Sequence, residues 1–253
     1  HATVLLEIAG LRIMTDPNFD PKLGRILRRV SPPGIALEDL PALDAILLTH
    51  AHADHLSFAS LDAIPNTTPV YAPPAVARWL NRLGYTQAVA LEVGQTVAIG
   101  SMTVQAAPAQ HNGNRYGVDK WRSATSMYLM DDGATSCFFA GDTALTPSTH
   151  QLVQKHLVEK ARRLDVALLP IGHAPWWKPG FRRGHLTSGD ALELFQRLGA
   201  RFFIPYHWGT FHHVTSGPFD AIERLRAQLG NHPRGSDVRI IEPGEALEIP
   251  TPD

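Results

Sequence analysis

Thr49-His50-Ala51-His52-Ala53-Asp54-His55 is the stretch whose reading decides this chain. The residues before it, 45–49 (AILLT), are a short continuous apolar run, the pattern of a strand buried on both faces. The histidines therefore leave the end of a buried strand and sit on a loop fixed by a rigid element. Four metal-competent groups fall within six residues, separated by alanines small enough to leave room for ions. His50 and His52 alternate from the strand end and can point the same way. Asp54 and His55, one turn onward, can address a second point nearby. Imidazole and carboxylate ligands without thiolates suit zinc, and also iron or manganese. A solvated histidine-rich loop is the plain alternative, and four ligands at this spacing behind an apolar strand argue against it.

Composition narrows the choice further. At 253 residues, with 44% hydrophobic and 19% charged side chains, the chain has the make-up of a folded protein with a sizeable core. We read residues 1–253 as one domain. Thirteen histidines stand beside a single cysteine, Cys137, which rules out an intrachain disulfide and thiolate-rich metal sites. Cys137-Phe138-Phe139-Ala140 reads as core. A formal net charge of −1 gives no case for nucleic acid as a partner. No apolar run reaches the ~18–20 residues of a membrane span, and no signal-peptide pattern opens the chain, so a cytoplasmic location is expected. Position 1 is His rather than Met, which leaves a trimmed targeting segment open, as the sequence leaves a homo-oligomer open.

Residues 3–8 and 11–15 read as a hairpin about Ala9-Gly10. A Pro-rich basic loop spans 17–41. Helical spacing marks 57–64, and proline opens a helix over 74–83. A brief strand is expected at 70–71, and further strands at 96–99, 102–107, 125–130 and 136–140. A helix is expected over 149–163, a strand over 166–169, a helix over 187–198, a strand over 202–205, a helix over 218–229 and a last strand over 238–241. This order predicts an α/β fold of αββα layering: two packed mixed sheets with helices outside. His111, in Pro108-Ala109-Gln110-His111, Asp142, in Gly141-Asp142-Thr143, and His207, in Tyr206-His207-Trp208-Gly209, each follow an apolar strand. α/β folds build their sites from such positions. With the first four they make the seven ligands that two metal ions need.

The order HxHxDH, distant His, Gly-Asp, final His resembles the metallo-β-lactamase superfamily. Within it, the chain is similar to the phospholipase D group that hydrolyses N-acyl phosphatidylethanolamine. The shared stretches are His1-Ala2-Thr3 with Thr15-Asp16-Pro17, THAHADHL, PAQH, FFAGDT, PIG and HWGTF. The resemblance implies the αββα metallo-β-lactamase sandwich and a binuclear hydrolase. His50, His52 and His111 would hold one ion, and Asp54, His55 and His207 the other, with Asp142 bridging. A hydroxide between two divalent ions, zinc or else iron or manganese, would be the nucleophile, with Asp54, Asp142 and His185 as the catalytic set.

His185, in Gly184-His185-Leu186-Thr187, matches a family histidine near the substrate and is expected to contact phosphate or act as an acid; a surface loop histidine is the alternative. Asp16 and Asp44 read either as carboxylates orienting ligand imidazoles or as turn caps. His1 matches a family histidine but carries little weight as the first residue. Trp176 and Trp177, with His173, lie in a loop that could roof the pocket. Lys22, Arg25, Arg28 and Arg29 form a basic cluster on a segment resembling the family's basic loop, and Arg28 and Arg29 are the candidate phosphate contacts. Family phospholipases carry an apolar insertion where residues 112–126 are short and polar here. The expected substrate is therefore a small-molecule or lipid-derived ester, most simply a soluble phosphodiester. A lactone, as in ascorbate-phosphate lactonases, and a non-catalytic metal scaffold are the competing readings.

Overall fold

The computed structural model describes residues 1–24, 27–115, 119, 124–174, 177, 180–211 and 216–250. The chain opens with β1 (Val4–Ile8) and β2 (Leu11–Thr15), joined by a tight turn in which Ala9 and Gly10 both have positive φ, 53° and 76°. Within the Pro-rich segment lie two short strands, β3 (Lys22–Leu23) and β4 (Leu27–Arg28). Then follow β5 (Ala45–Leu47), α1 (Phe58–Asp62), β6 (Val70–Ala72), α2 (Pro74–Arg82) and β7 (Ala88–Ala90). Next come β8 (Thr96–Ile99), β9 (Met102–Pro108), β10 (Ser126–Asp131), β11 (Ser136–Phe139) and α3 (Gln151–His156). The order closes with β12 (Val166–Pro170), α4 (Ser188–Leu198), β13 (Phe202–Tyr206) and α5 (Asp220–Leu229).

Two mixed sheets result. One runs β1-β2-β5-β6-β7 and the other β13-β12-β11-β10-β9-β8, with the small β3–β4 pair apart. Strand alternation sorts their side chains into three apolar layers. On β5, Ala45 and Leu47 face the inter-sheet core while Ile46 packs toward α1 and α2. On β10, Tyr128 and Met130 enter the inter-sheet core while Met127 and Leu129 pack under α4 and α5. β12 divides the same way, with Val166 and Leu168 inward and Ala167 and Leu169 toward the helices. This is the αββα sandwich, with each sheet covered on both faces as apolar runs such as AILL require.

Sheet direction places the site. β2, β5, β6 and β7 run parallel, as do β11, β12 and β13. β9 shares the direction of β11 because each is antiparallel to β10. The carboxyl ends of β2, β5, β9, β11 and β13 therefore open onto one rim, and antiparallel β1 begins there.

Two expected elements differ, and one main-sheet strand that was not expected is present. The helix over 149–163 is cut to α3 and a 3-10 turn, Val158–Lys160, which ends at Ala161 with φ 58°. From 158 to 163 no residue is buried, so no apolar stripe holds a longer helix. Residues 238–241 form no strand: Val238 makes a single bridge to Phe203, and Pro243 and Gly244 follow at once. β7, three residues with only Ala88 buried, carries no readable pattern.

α4 fixes the loop before it through a capping box. Thr187 Oγ1 accepts the Asp190 amide and the Asp190 carboxylate accepts the Thr187 amide. Thr187→Ala is expected to cost about 1 kcal/mol. Denaturant unfolding should show a lower midpoint at unchanged slope, and an unaltered midpoint would mean the cap is dispensable.

Candidate metal centre

The donor atoms on this rim collect into two groups. One holds His1, Asp54, His55 and His207; the other holds His50, His52, His111 and Asp142, and within each the donors lie within 4.8 Å of one another. Asp142 lies between them. Its Oδ2 is 3.4 Å from His55 Nε2 and 3.9 Å from His111 Nε2, and its Oδ1 is 3.3 Å from His207 Nε2. Asp54 Oδ2 is 3.6 Å from His207 Nε2.

Each ring of the long loop and of His111 has one nitrogen tied outward and the other turned inward. His55 Nδ1 donates to Asp16 Oδ2 at 2.7 Å. His50 Nδ1 donates to Thr49 Oγ1 at 2.9 Å, and that hydroxyl donates to Asp16 Oδ2 at 2.6 Å. His111 Nδ1 donates to the Gly184 carbonyl at 2.7 Å, and His52 Nε2 to that of Asn114 at 3.1 Å. Such outer hydrogen bonds fix which nitrogen keeps a lone pair for a ligand. The inward Nε2 atoms of His50, His55 and His207, and Asp142 Oδ1, are buried without hydrogen-bond partners. Buried polar atoms are seldom left so, and cations held by the two groups would satisfy all four. The residues fit a divalent metal with nitrogen and oxygen ligands.

Electrostatics agrees. Against the cost of burial, Asp142 and Asp54 hold the His207 imidazole up to about 9, and Asp142, Asp54 and Asp16 hold His55 well above the ordinary histidine value. Burial, helped by neighbouring imidazoles, pushes His50 well below that value and His111 down to about 4. Despite burial, His55 and His207 keep the Asp54 and Asp142 carboxyls below the usual carboxylate range. The two carboxylates thus draw positive charge to the space between the groups.

Local backbone explains parts of the motif. Gly141 has φ +55°, and a Cβ there would lie 2.7 Å from Thr49 Cγ2, so the residue before Asp142 must lack a side chain. A Cβ on Gly184 would lie 3.0 Å from His111 Nδ1. Asp16 and His207 are both non-glycine residues in the left-handed region, φ 35° and 72°, a strain that clusters at functional sites.

The remaining candidates divide. Asp16 orients His55, whereas Asp44 accepts the Arg12 amide at 2.7 Å in an exposed turn. His1, given little weight from sequence, donates to Asp54 Oδ2 at 2.9 Å, and its ring centroid is 3.9 Å from that of His207. The antiparallel start of β1 at the rim puts it there. His185 Nε2 is 3.6 Å from Asp142 Oδ2, with its side chain 35% exposed and its ring stacked on Phe181. Arg28 is exposed on β4. Arg29 instead donates to the Asp20 and Asn18 carbonyls at 2.7 and 2.8 Å and lies over the Phe211 ring. Arg182 pairs with Asp190. Trp177 is 54% exposed, and Trp176, Arg25, Tyr116 and Trp121 lie outside the described residues.

Residues 11–208 match the model of the β-lactamase superfamily domain. The chain belongs to this superfamily, as a metal-dependent hydrolase of the metallo-β-lactamase fold. It is 31% identical over 205 residues to a metal-dependent hydrolase of Deinococcus radiodurans, covering 81% of this chain and 80% of that one. It is 30% identical over 230 residues to the N-acyl-phosphatidylethanolamine-hydrolyzing phospholipase D 1 of Caenorhabditis elegans, covering 83% of this chain but 62% of that enzyme, less than two thirds of its length. Among solved structures, the isothiocyanate hydrolase from Delia radicum gut bacteria superposes with a TM-score of 0.77 at 21% identity, covering 98% and 96% of the two chains, a likeness of fold.

The opposed histidine shifts give the metal-free protein a bell-shaped stability. Between pH 4 and 6.5 the unfolded chain binds more protons than the folded one, because His111 resists protonation, so stability rises with pH. Between 6.5 and 9 the folded chain binds more, because His55 and His207 keep their protons while the buried His1 amino group gives up only one, so stability falls. Melting temperature of chelator-stripped protein should therefore peak near pH 6.5, and a continuous rise to pH 9 would contradict the charge arrangement described.

Proposed function

We propose that the chain is a binuclear phosphodiesterase, with residues 1–253 acting as one hydrolase domain. The observation that carries the reading is the doubled donor set with Asp142 between its halves. His50, His52 and His111 would hold one ion, Asp54, His55 and His207 the other, and Asp142 both, with zinc best suited to the donors and iron or manganese also compatible. Bound there, two divalent ions would lower the pKa of a water toward neutrality and clamp the oxygens of the scissile ester. His1, hydrogen-bonded to Asp54, holds that carboxylate in place.

His185 is placed to handle the leaving group. It stands beside Asp142 yet reaches solvent, and stacking on Phe181 fixes its ring, so it can hold a proton for the departing oxygen. Arg28 is exposed to meet an anionic substrate, with Arg29 bracing the same segment. Exposed Trp177, with Trp176 beside it in sequence, would roof the pocket. The diester class is supported by the named activity of the nematode relative. Among the described residues no helix is long and apolar enough to cross a membrane.

Elemental analysis of protein purified without chelator is expected to give close to two equivalents of transition metal, and less than half an equivalent after reconstitution would sink the two-metal reading. Asp142→Asn should lose activity while keeping the fold, since a neutral amide joins two cations poorly. His185→Ala should retain metal and lose roughly 10²-fold in rate. A product-resolved screen decides the substrate class: soluble phosphodiesters should turn over faster than lactones or penicillins, and efficient lactone opening with every diester left intact would replace this reading by the lactonase.

A further inference from the structure

The segment after β9 touches the histidine loop at three points within five residues. His111 Nε2 lies 3.1 Å from His52 Nδ1, and the Asn114 carbonyl accepts His52 Nε2–H at 3.1 Å. Arg115 Nη1 donates to the Ala51 carbonyl at 2.8 Å and to the Leu56 carbonyl at 2.9 Å. Those two carbonyls bracket His52, Ala53, Asp54 and His55. The loop's own backbone bonds all converge on one acceptor, the His52 carbonyl, which takes the amides of His55 and Leu56. On the other flank Asn18 Nδ2 donates to the Ala53 carbonyl at 2.8 Å.

Arg115 suits a clamp physically. Its guanidinium is a planar donor that stays charged, and charged donors make stronger hydrogen bonds than neutral ones. The group lies 5.0 Å from the Phe58 ring centroid and 6.0 Å from that of Trp79, side chains of α1 and α2. The loop is thereby referred to two helices rather than to its own flexible backbone.

We infer that Arg115 is a positioning residue of the metal centre, closing residues 51–56 so that His52 presents Nδ1 to the His50, His52, His111 and Asp142 donor set. The inference rests on the two-metal reading. The two sets should not depend on it equally. His55 is locked independently by Asp16, and Asp54 is held by His1. Among the described residues, the outer hydrogen bond of His52 goes to the Asn114 carbonyl, on the segment that Arg115 anchors. Loss of the clamp should therefore weaken one ion far more than the other.

The test is cobalt(II) titration of the chelator-stripped chain, read by visible absorption, for the parent, Arg115→Ala and Arg115→Lys. The parent should bind two equivalents. Arg115→Ala should keep one equivalent at parental affinity, bind the other about 10- to 100-fold more weakly, and change the absorption bands of the second. Arg115→Lys, shorter and not planar, should fall between, and low non-denaturing guanidinium should restore part of the lost affinity to Arg115→Ala. Parental affinity and bands at both ions in Arg115→Ala, or equal weakening of both, would overturn the inference. If Arg115→Ala does not fold, Arg115→Lys carries the comparison, and parental binding of both ions there overturns it as well. A parent that binds less than half an equivalent would instead defeat the two-metal reading, which keeps the two failures apart.

Discussion

The carboxylate of Asp16 is the constraint on which the rim depends. It is fully buried, at the end of β2, and accepts three hydrogen bonds: from the Thr49 amide, the Thr49 hydroxyl and His55 Nδ1. Through Thr49 it also sets His50. One carboxylate therefore joins the ends of two adjacent parallel strands and fixes the tautomers of two histidines facing opposite donor groups. Burial alone would raise its pKa, and the His55 and Thr49 hydrogen bonds oppose that rise. The cost of burying such a group is recovered only with every partner in place, because removing one leaves an uncompensated charge in the core. The left-handed backbone at Asp16 belongs to the same arrangement: a strand continuing extended would carry the carboxylate past Thr49.

Around this anchor the centre is built as paired opposites. Two carboxylates, Asp54 and Asp142, face a ring of imidazoles, and in the absence of any other cation they hold protons on His55 and His207. His50 and His111, turned to the same space, are held neutral by burial and by their charged neighbours. The arrangement has more acceptors pointing inward than protons to satisfy them, which is the electrostatic description of a cation site. It is also a site that constrains the fold: the donors come from both sheets, so any ion bound would tie the sandwich together across its rim.

Much of this was legible because the ligand-type residues follow apolar strands, and a strand's direction is readable from its run and its turn. AILLT before His50, FFA before Gly141-Asp142 and FFIP before Tyr206-His207 each point a polar residue at the same rim. His1 was undervalued since nothing local marks it; its place follows from β1 running antiparallel to β2, which is a property of pairing. Arg115 and Asn18 were invisible for a different reason. Their partners are backbone carbonyls, which no residue type encodes, so no spacing rule can find them. Arg28 and Arg29 looked alike in sequence and part company in space, one exposed and one committed to the carbonyls of Asn18 and Asp20. The helix expected over 149–163 failed where its apolar stripe ran out, and the strand over 238–241 failed because Val238 finds one bridge and no ladder.

The division between strand ends and loops also bears on how one scaffold can serve different substrates. The candidate metal donors His50, His111, Asp142 and His207 follow β5, β9, β11 and β13 within three residues, where the sheet fixes them. His185, Arg28 and Trp177 are carried by other segments that the sheets constrain less. A fold shared with an isothiocyanate hydrolase and a sequence related to a phospholipase D thus present no contradiction, since substrate is selected by parts the scaffold leaves free. In this chain one of those parts is nevertheless tethered. The loop holding His185 also supplies the Gly184 carbonyl that fixes His111, and it ends in the Thr187 capping box of α4. A change that moved His185 by shifting the loop would therefore disturb a metal donor as well. On the proposed reading, a change of substrate preference at exposed Arg28 would leave the donor groups in place, whereas one at His185 would be coupled to them through Gly184 and His111.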